Sequence, residues 1–167
     1  TKGRGRRGRQ WYSAPGQAVC LSVLLRPPWK AGDVTWLGVL GGVAAAEAIA
    51  NVGVGDLLIK WPNDVLARGL KIGGVLVEPR LGDDDLSFAV VGIGINVRDR
   101  VGDWPPDLRD IATSCVGMGA DVSCDEVIRA LLHSLDDGYR RLLQGERESL
   151  LEAWSRWSGS AQLPVLD

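Results

Sequence analysis

Histidine and cysteine are scarce in this 167-residue chain, and their scarcity excludes several kinds of chemistry. His133 is the single histidine and falls in a helical pattern, so a Ser-His-Asp triad or a histidine metal site would have to be built around it alone. Cys20, Cys115 and Cys124 are odd in number and lack C-x-x-C spacing, so neither a disulfide framework nor a zinc site is indicated. No uninterrupted apolar run reaches the roughly 18 residues that a bilayer span requires. The nearest approach, Trp36–Val54, contains Glu47 and Asn51 and is rich in Gly and Ala, which suits a packed helix. A signal peptide is also missing, because the basic N-terminus runs into polar and aromatic residues instead of an apolar core. These absences predict a soluble, cytoplasmic protein that makes no use of a membrane.

Two nucleotide-binding signatures are lacking as well. Gly92-Ile93-Gly94-Ile95-Asn96 has no third glycine at Val97 and no following helix, so it is not a dinucleotide fingerprint, and no G-x-x-x-x-G-K-[ST] loop occurs. Any ATP bound here is bound by another design.

What is present is a chain of ordinary globular composition, 46% hydrophobic and 24% charged, of a size that fits one core. Its net charge of −2 conceals a basic start: Lys2, Arg4, Arg6, Arg7 and Arg9 fall in the first ten residues without a single acid. Glycines interleave with these cations and disfavour regular structure. Composition alone favours a nucleic-acid arm, and a loop that clamps an anionic ligand is the other reading.

Ala18–Leu25 reads as a mostly buried strand ending at Arg26-Pro27-Pro28, and Thr35 as the cap of a helix running to about Val52 that Gly53 and Gly55 end. Leu57–Lys60 is a short strand stopped by Trp61-Pro62-Asn63-Asp64. Val65–Ala67 and Lys71–Val77 form a hairpin across Arg68-Gly69-Leu70, and Leu86–Val97 follows the acidic turn at Gly82–Asp85. Three neighbouring strands in so short a stretch predict an α+β fold with a mixed, largely antiparallel sheet flanked by helices. Ser123-x-x-Glu126 is a capping box ahead of a helix to about Leu143, Gly145 breaks it, and Glu146–Trp157 is a second helix. The last residues, from Gln162, read as the first strand of a further element.

Lys60 ends one strand and Lys71 begins another, bracketing Asn63-Asp64, so that two ammonium groups and a carboxylate converge if both side chains turn inward; the plainer alternative is that both snorkel to water. Lys71 gains weight from Ile72-Gly73-Gly74-Val75, since paired glycines weaken a strand unless a ligand or another backbone comes close. Gly92 and Gly94 repeat the pattern.

Taken together and in this order, Gly3-Arg4-Gly5-Arg6-Arg7-Gly8-Arg9-x-Trp11, Lys60-Trp61-Pro62-Asn63-Asp64, Lys71-Ile72-Gly73-Gly74-Val75-Leu76-Val77-Glu78 and Gly92-x-Gly94-Ile95-Asn96 resemble the biotin protein ligases. The resemblance implies a class II synthetase-like, biotin/lipoate ligase catalytic domain over residues 1–160. It also implies that residues 161–167 open a small β-barrel domain, and that the chain lacks both ends of the family's catalytic core and its DNA-binding domain. The implied reaction has two steps. The carboxylate of biotin attacks the α-phosphate of ATP, with Mg²⁺, to give biotinyl-5′-AMP and pyrophosphate. A lysine of a biotin carboxyl carrier protein, or of that domain of acetyl-CoA carboxylase, then takes the biotinyl group as an amide.

In that scheme Lys71, Arg6, Lys60 and Asp64 are catalytic. Gly3, Arg4, Arg6, Lys71, Gly74, Leu76 and Gly92 bind biotin; Arg4, Arg6, Trp11, Asn63, Lys71 and Asn96 bind ATP or the adenylate. Trp11 would cover the adenine face and Asn96 read its edge, although Trp11 also suits a core anchor and Asn63 a turn former. No side-chain cluster for a metal is implied, with Mg²⁺ placed near Asp64, and a homodimer is compatible with the family. Lipoate ligases and transferases are the alternative within the same fold, and a nucleic-acid-binding domain is the alternative outside it.

Overall fold

In the computed structural model, which describes residues 3–5, 8–83 and 85–159, a five-stranded sheet carries the motifs between Lys60 and Asn96. A small hairpin of β1 (Gly3–Arg4) and β2 (Gln10–Trp11) precedes β3 (Ala18–Leu25), α1 (Thr35–Asn51), β4 (Leu57–Lys60), β5 (Asp64–Ala67), β6 (Leu70–Leu81) and β7 (Leu86–Asn96). Two helices, α2 (Cys124–Leu143) and α3 (Arg147–Ser158), close the described chain. The sheet order is β3-β7-β6-β5-β4 and every pairing is antiparallel. The expected mixed character is reduced to one isolated parallel bridge, Lys71 with Ala112. The strand expected within residues 161–167 lies outside the described residues.

Local chemistry explains most boundaries. Arg68 and Gly69 both have positive φ, 49° and 81°, as a two-residue hairpin turn between β5 and β6 demands. Gly53, at φ 92°, follows α1 in the left-handed conformation that ends many helices. At α2 the Ser123 hydroxyl accepts from the Glu126 backbone N–H, while the Glu126 carboxylate accepts from the Ser123 backbone N–H, which is the expected capping box. Thr35 is not a cap. A 3-10 turn, Ala31–Val34, runs directly into α1, and Asp33 accepts from the Lys30 backbone N–H at the true start.

Helix α1 is buried on nearly every side, which explains why its length and composition alone would suit a membrane span. Gly41 meets Val75 and Val91 of the sheet, Gly42 meets Trp154 of α3, and Leu40 meets Gly138 of α2. The small residues are thus explained by close approach in three directions. A side chain at Gly41 would begin 2.7 Å from the Val75 Cγ1 atom. Gly41→Leu is therefore expected to destabilise the domain by about 1–3 kcal/mol through overpacking, read from a shifted urea midpoint at unchanged slope.

Only one face of the sheet is covered by α1. Along β3, Val19 is buried whereas Cys20, Ser22 and Leu24 are exposed, which corrects the reading of this segment as mostly buried. Val91, Ile93 and Ile95 of β7 point to the helix, so Gly92 and Gly94 belong to the opposite, open face.

Candidate functional site

Residues directly opposite one another in an antiparallel sheet share a face, so the open face can be read in rows. One row is Cys20, Gly94, Gly74, Asp64 and Lys60; the next is Ser22, Gly92 and Leu76; a third contains Leu24, Val90 and Glu78. The expected biotin contacts Gly74, Leu76 and Gly92 therefore lie side by side, together with Asp64 and Lys60.

Lys71 reaches this face through an irregularity. Gly73, two residues on, points to the helix layer, with Val65 and Ile49 as its neighbours, and strict alternation would send Lys71 the same way. Between Val65 and Leu66 the register shifts, so that one step along β5 spans two along β6 and Ile72 has no partner there. Such a bulge re-aims the side chain beside it. The Lys71 ammonium donates to Asp64 Oδ1 at 2.6 Å, and Asn63 Nδ2 donates to the same oxygen at 3.0 Å. Both partners of the ion pair are only partly exposed. The Lys71 backbone is clamped as well, its N–H donating to the Ile111 carbonyl and its carbonyl accepting from Thr113, both at 2.8 Å.

Trp11 lies over the first row. A Cβ added to Gly94 would stand 2.6 Å from Trp11 Cε2, and one on Gly74 would stand 3.2 Å from Cζ3, so these glycines make room for the indole. Lys71 Nζ is 5.7 Å from the ring centroid, within cation–π range. The indole N–H is buried and has no hydrogen-bond partner among the described residues. Gly3, in β1, is required by the same ring system, since its Cβ would meet that of Trp11 at 2.9 Å. Arg4 extends to the third row, where Nη2 donates to Glu78 Oε2 at 3.0 Å.

The remaining expected residues are distributed unevenly. Lys60 ends β4 opposite Asp64, is exposed, and forms no ion pair among the described residues. Asn96 is buried, and its Nδ2 donates to the Thr113 carbonyl at 2.9 Å, so one side of its amide holds the segment that clamps Lys71 instead of standing free to read a base. Arg6 lies outside the described residues. Sequence reasoning missed Ser22, Glu78 as the partner of Arg4, and the 111–113 clamp. Alternation along Ala18–Leu25 contained a signal for Ser22, whereas the clamp has no local signature. No group of three or more metal-ligating side chains occurs among the described residues.

One group beside the site is electrostatically unusual. Asp99, three residues beyond Asn96, is fully buried, and among the described residues neither carboxylate oxygen has a partner in hydrogen-bond geometry. Burial pushes its carboxyl above the usual range, offset in part by the Ala14 backbone N–H and its own, and reinforced by the Asp103 charge. Because the folded state then holds the proton more tightly than the unfolded state, stability falls as pH rises from the unfolded pKa through the folded one, and the penalty persists above it. Asp99→Asn is expected to remove that dependence and to gain stability relative to the parent at pH 7 but not at pH 3, measured by urea unfolding at both values.

The arrangement defines an α+β domain with the Lys71–Asp64 ion pair on the open face of its sheet, next to a stretch of glycines. The chain belongs to the Biotin/lipoate A/B protein ligase family, which residues 1–96 match. It is 37% identical over 141 residues to the bifunctional ligase/repressor BirA of Bacillus subtilis, covering 84% of this chain and 43% of that protein. It is also 37% identical over 125 residues to the biotin–acetyl-CoA-carboxylase ligase of Mycobacterium tuberculosis, covering 71% of this chain and 43% of the relative. The biotin protein ligase from Aquifex aeolicus, solved in complex with biotin and ATP, superposes with a TM-score of 0.77 at 29% identity, over 92% of this chain and 63% of that one. The chain thus spans less than half the length of these two sequence relatives.

Proposed function

We propose that the chain activates biotin with ATP and passes the biotinyl group to a lysine of a biotin carboxyl carrier protein or domain. The observation that supports this most is the Lys71–Asp64 pair on the same open face as Gly74, Leu76 and Gly92, a cation beside a floor stripped of side chains. Attack of a carboxylate on an α-phosphate brings two anions together, so fixed cations must be in place before reaction. Lys71 supplies a compact charge with three donors that can follow an oxygen as the geometry changes. Asp64, whose Oδ1 also accepts from Asn63, holds that ammonium on the open face, and the Ile111–Thr113 clamp fixes its backbone.

Arg4 and Arg6 of the glycine-arginine motif neutralise the acyl phosphate and the departing pyrophosphate. Arg4 leaves Glu78 to do so, which costs little because both partners are exposed. Lys60 is a further cation at the rim. Trp11 forms a wall of the nucleotide site, Asn96 shapes that site from beneath through Thr113, and Gly3 allows the hairpin to lie against the indole. A Mg²⁺ ion would rest mainly on the nucleotide phosphates, as this ion usually does, with Asp64 as the adjacent carboxylate; it would neutralise phosphate charge.

Incubation with biotin, ATP and Mg²⁺ is expected to release pyrophosphate in a biotin-dependent way, with lipoate failing to replace biotin. Pyrophosphate release that is indifferent to biotin would overturn the proposal.

A further inference from the structure

The chain between Trp11 and β3 is strapped across a buried acid. Residues 12–17 lead from the indole over Gly94 and Gly74 into β3 and are tied down along their length. The Tyr12 hydroxyl donates to the Asp103 carbonyl at 3.0 Å, and the Cys124 thiol donates to the Gly16 carbonyl at 3.5 Å. The Gln17 carbonyl accepts from the backbone N–H groups of Val97 and Arg98 at 3.1 and 2.7 Å. A turn closes the strap, the Gln17 N–H donating to the Ala14 carbonyl at 3.1 Å with Gly16 at a φ of 73°. Beneath it sits the Asp99 carboxyl, faced by the Ala14 backbone N–H but short of hydrogen-bond geometry.

The strap is the side that can yield to this carboxyl. On the other side the Asp99 carbonyl accepts from Ser114 Oγ at 2.6 Å, and Ser114 Oγ accepts in turn from the Gly117 N–H at 2.9 Å. The surrounding titratable groups supply no counter-ion. Asp103 and, beyond Cys124, Asp125 are like charges; Cys124 and Cys20 are thiols; the Arg98 guanidinium donates to the Val122 carbonyl at 3.1 Å. A protonated carboxyl tolerates such a place, whereas a carboxylate needs the water that enters when the strap lifts.

We infer that Asp99 is a positioning residue for Trp11: its neutral carboxyl lets residues 12–17 lie shut and hold the indole on Gly94, and its ionised carboxylate loosens them. This goes beyond the proposed biotin chemistry and does not depend on it. Burial raises the carboxyl's pKa under the shut strap, and lifting the strap returns it to the ordinary carboxylate range. The shut state is therefore most favoured at or below that ordinary range. It loses ground as pH rises through the raised value, by up to about tenfold per pH unit, the slope of one proton.

The buried indole N–H of Trp11 reports the strap. Its hydrogen exchange in the full chain, followed by NMR from about pH 4 to about pH 8 and divided by the intrinsic rate, is compared with that of the Val91 amide in β7, which opens with the whole domain. Trp11 protection is expected to fall with pH relative to Val91 in the parent and to be flat in both Asp99→Asn and Asp99→Ser. A slope shared equally by Trp11 and Val91 would confine Asp99 to global stability. A slope that survives both substitutions would belong to another group. Either result overturns the inference, as does Trp11 protection indifferent to pH.

Discussion

Lys71→Ala is expected to lower the rate of biotinyl-adenylate formation by about a hundredfold to a thousandfold, the range found when one preorganised donor is removed from a charge-developing site. The fold should persist, because the side chain is partly exposed and the clamp at Ile111 and Thr113 uses only backbone atoms. Removal of the ammonium also leaves Asp64 without its cation, placing a carboxylate where two anions must meet. Lys71→Arg is expected to recover only part of the loss, since a planar fork cannot occupy the point position beside Asp64 and the indole. Single-turnover formation of labelled biotinyl-adenylate, with circular dichroism on the same samples, is the measurement. A Lys71→Ala protein with the parent rate would remove Lys71 from the reaction.

Gly94→Ala and Gly92→Ala should behave differently although the two glycines are neighbours on one face. At Gly94 a methyl group would lie within 2.6 to 2.9 Å of three ring carbons of Trp11, so the indole must leave its seat. That displacement is expected to cost about 1–3 kcal/mol of stability and to weaken biotin binding by tenfold or more, as the cation–π contact to Lys71 goes with it. At Gly92 the methyl meets only Leu76, at 3.5 Å to its carbonyl oxygen and 3.8 Å to its Cβ, and stability should change by less than about 0.5 kcal/mol. Biotin affinity should nevertheless fall, because the methyl occupies the floor. Paired unfolding and titration experiments separate the two outcomes, and equal stabilities for both variants would show that Trp11 does not depend on the glycine beneath it.

Much of this was legible in the amino-acid sequence, for identifiable reasons. The antiparallel meander followed from turn chemistry at Arg68-Gly69 and from apolar strands too closely spaced for crossover helices, and the capping box at Ser123 marked the start of α2. The glycines of β6 and β7 announced close approach without saying what approaches. It is the indole of Trp11 at Gly74 and Gly94, and Leu76 at Gly92. Asn96 showed the limit of motif reasoning, since its amide side chain is partly committed to Thr113, a residue 17 positions away whose contact no local pattern encodes. Thr35 and the exposed face of β3 were misread because local propensity was followed where packing decides: a 3-10 turn continues into α1, and a single helix layer covers only one side of the sheet.

The bulge at Ile72 makes the direction of the Lys71 side chain a matter of parity. In a regular β6 a lysine two positions before Gly73 would enter the helix layer, whatever its chemical competence. The site is consequently more vulnerable to a change in the count of residues between Lys71 and Gly74 than to most changes in their identity. Insertion of one residue between Lys71 and Ile72, with the bulge kept, would leave every motif residue in the chain yet turn the ammonium toward the apolar helix layer, where an unpaired charge destabilises the strand.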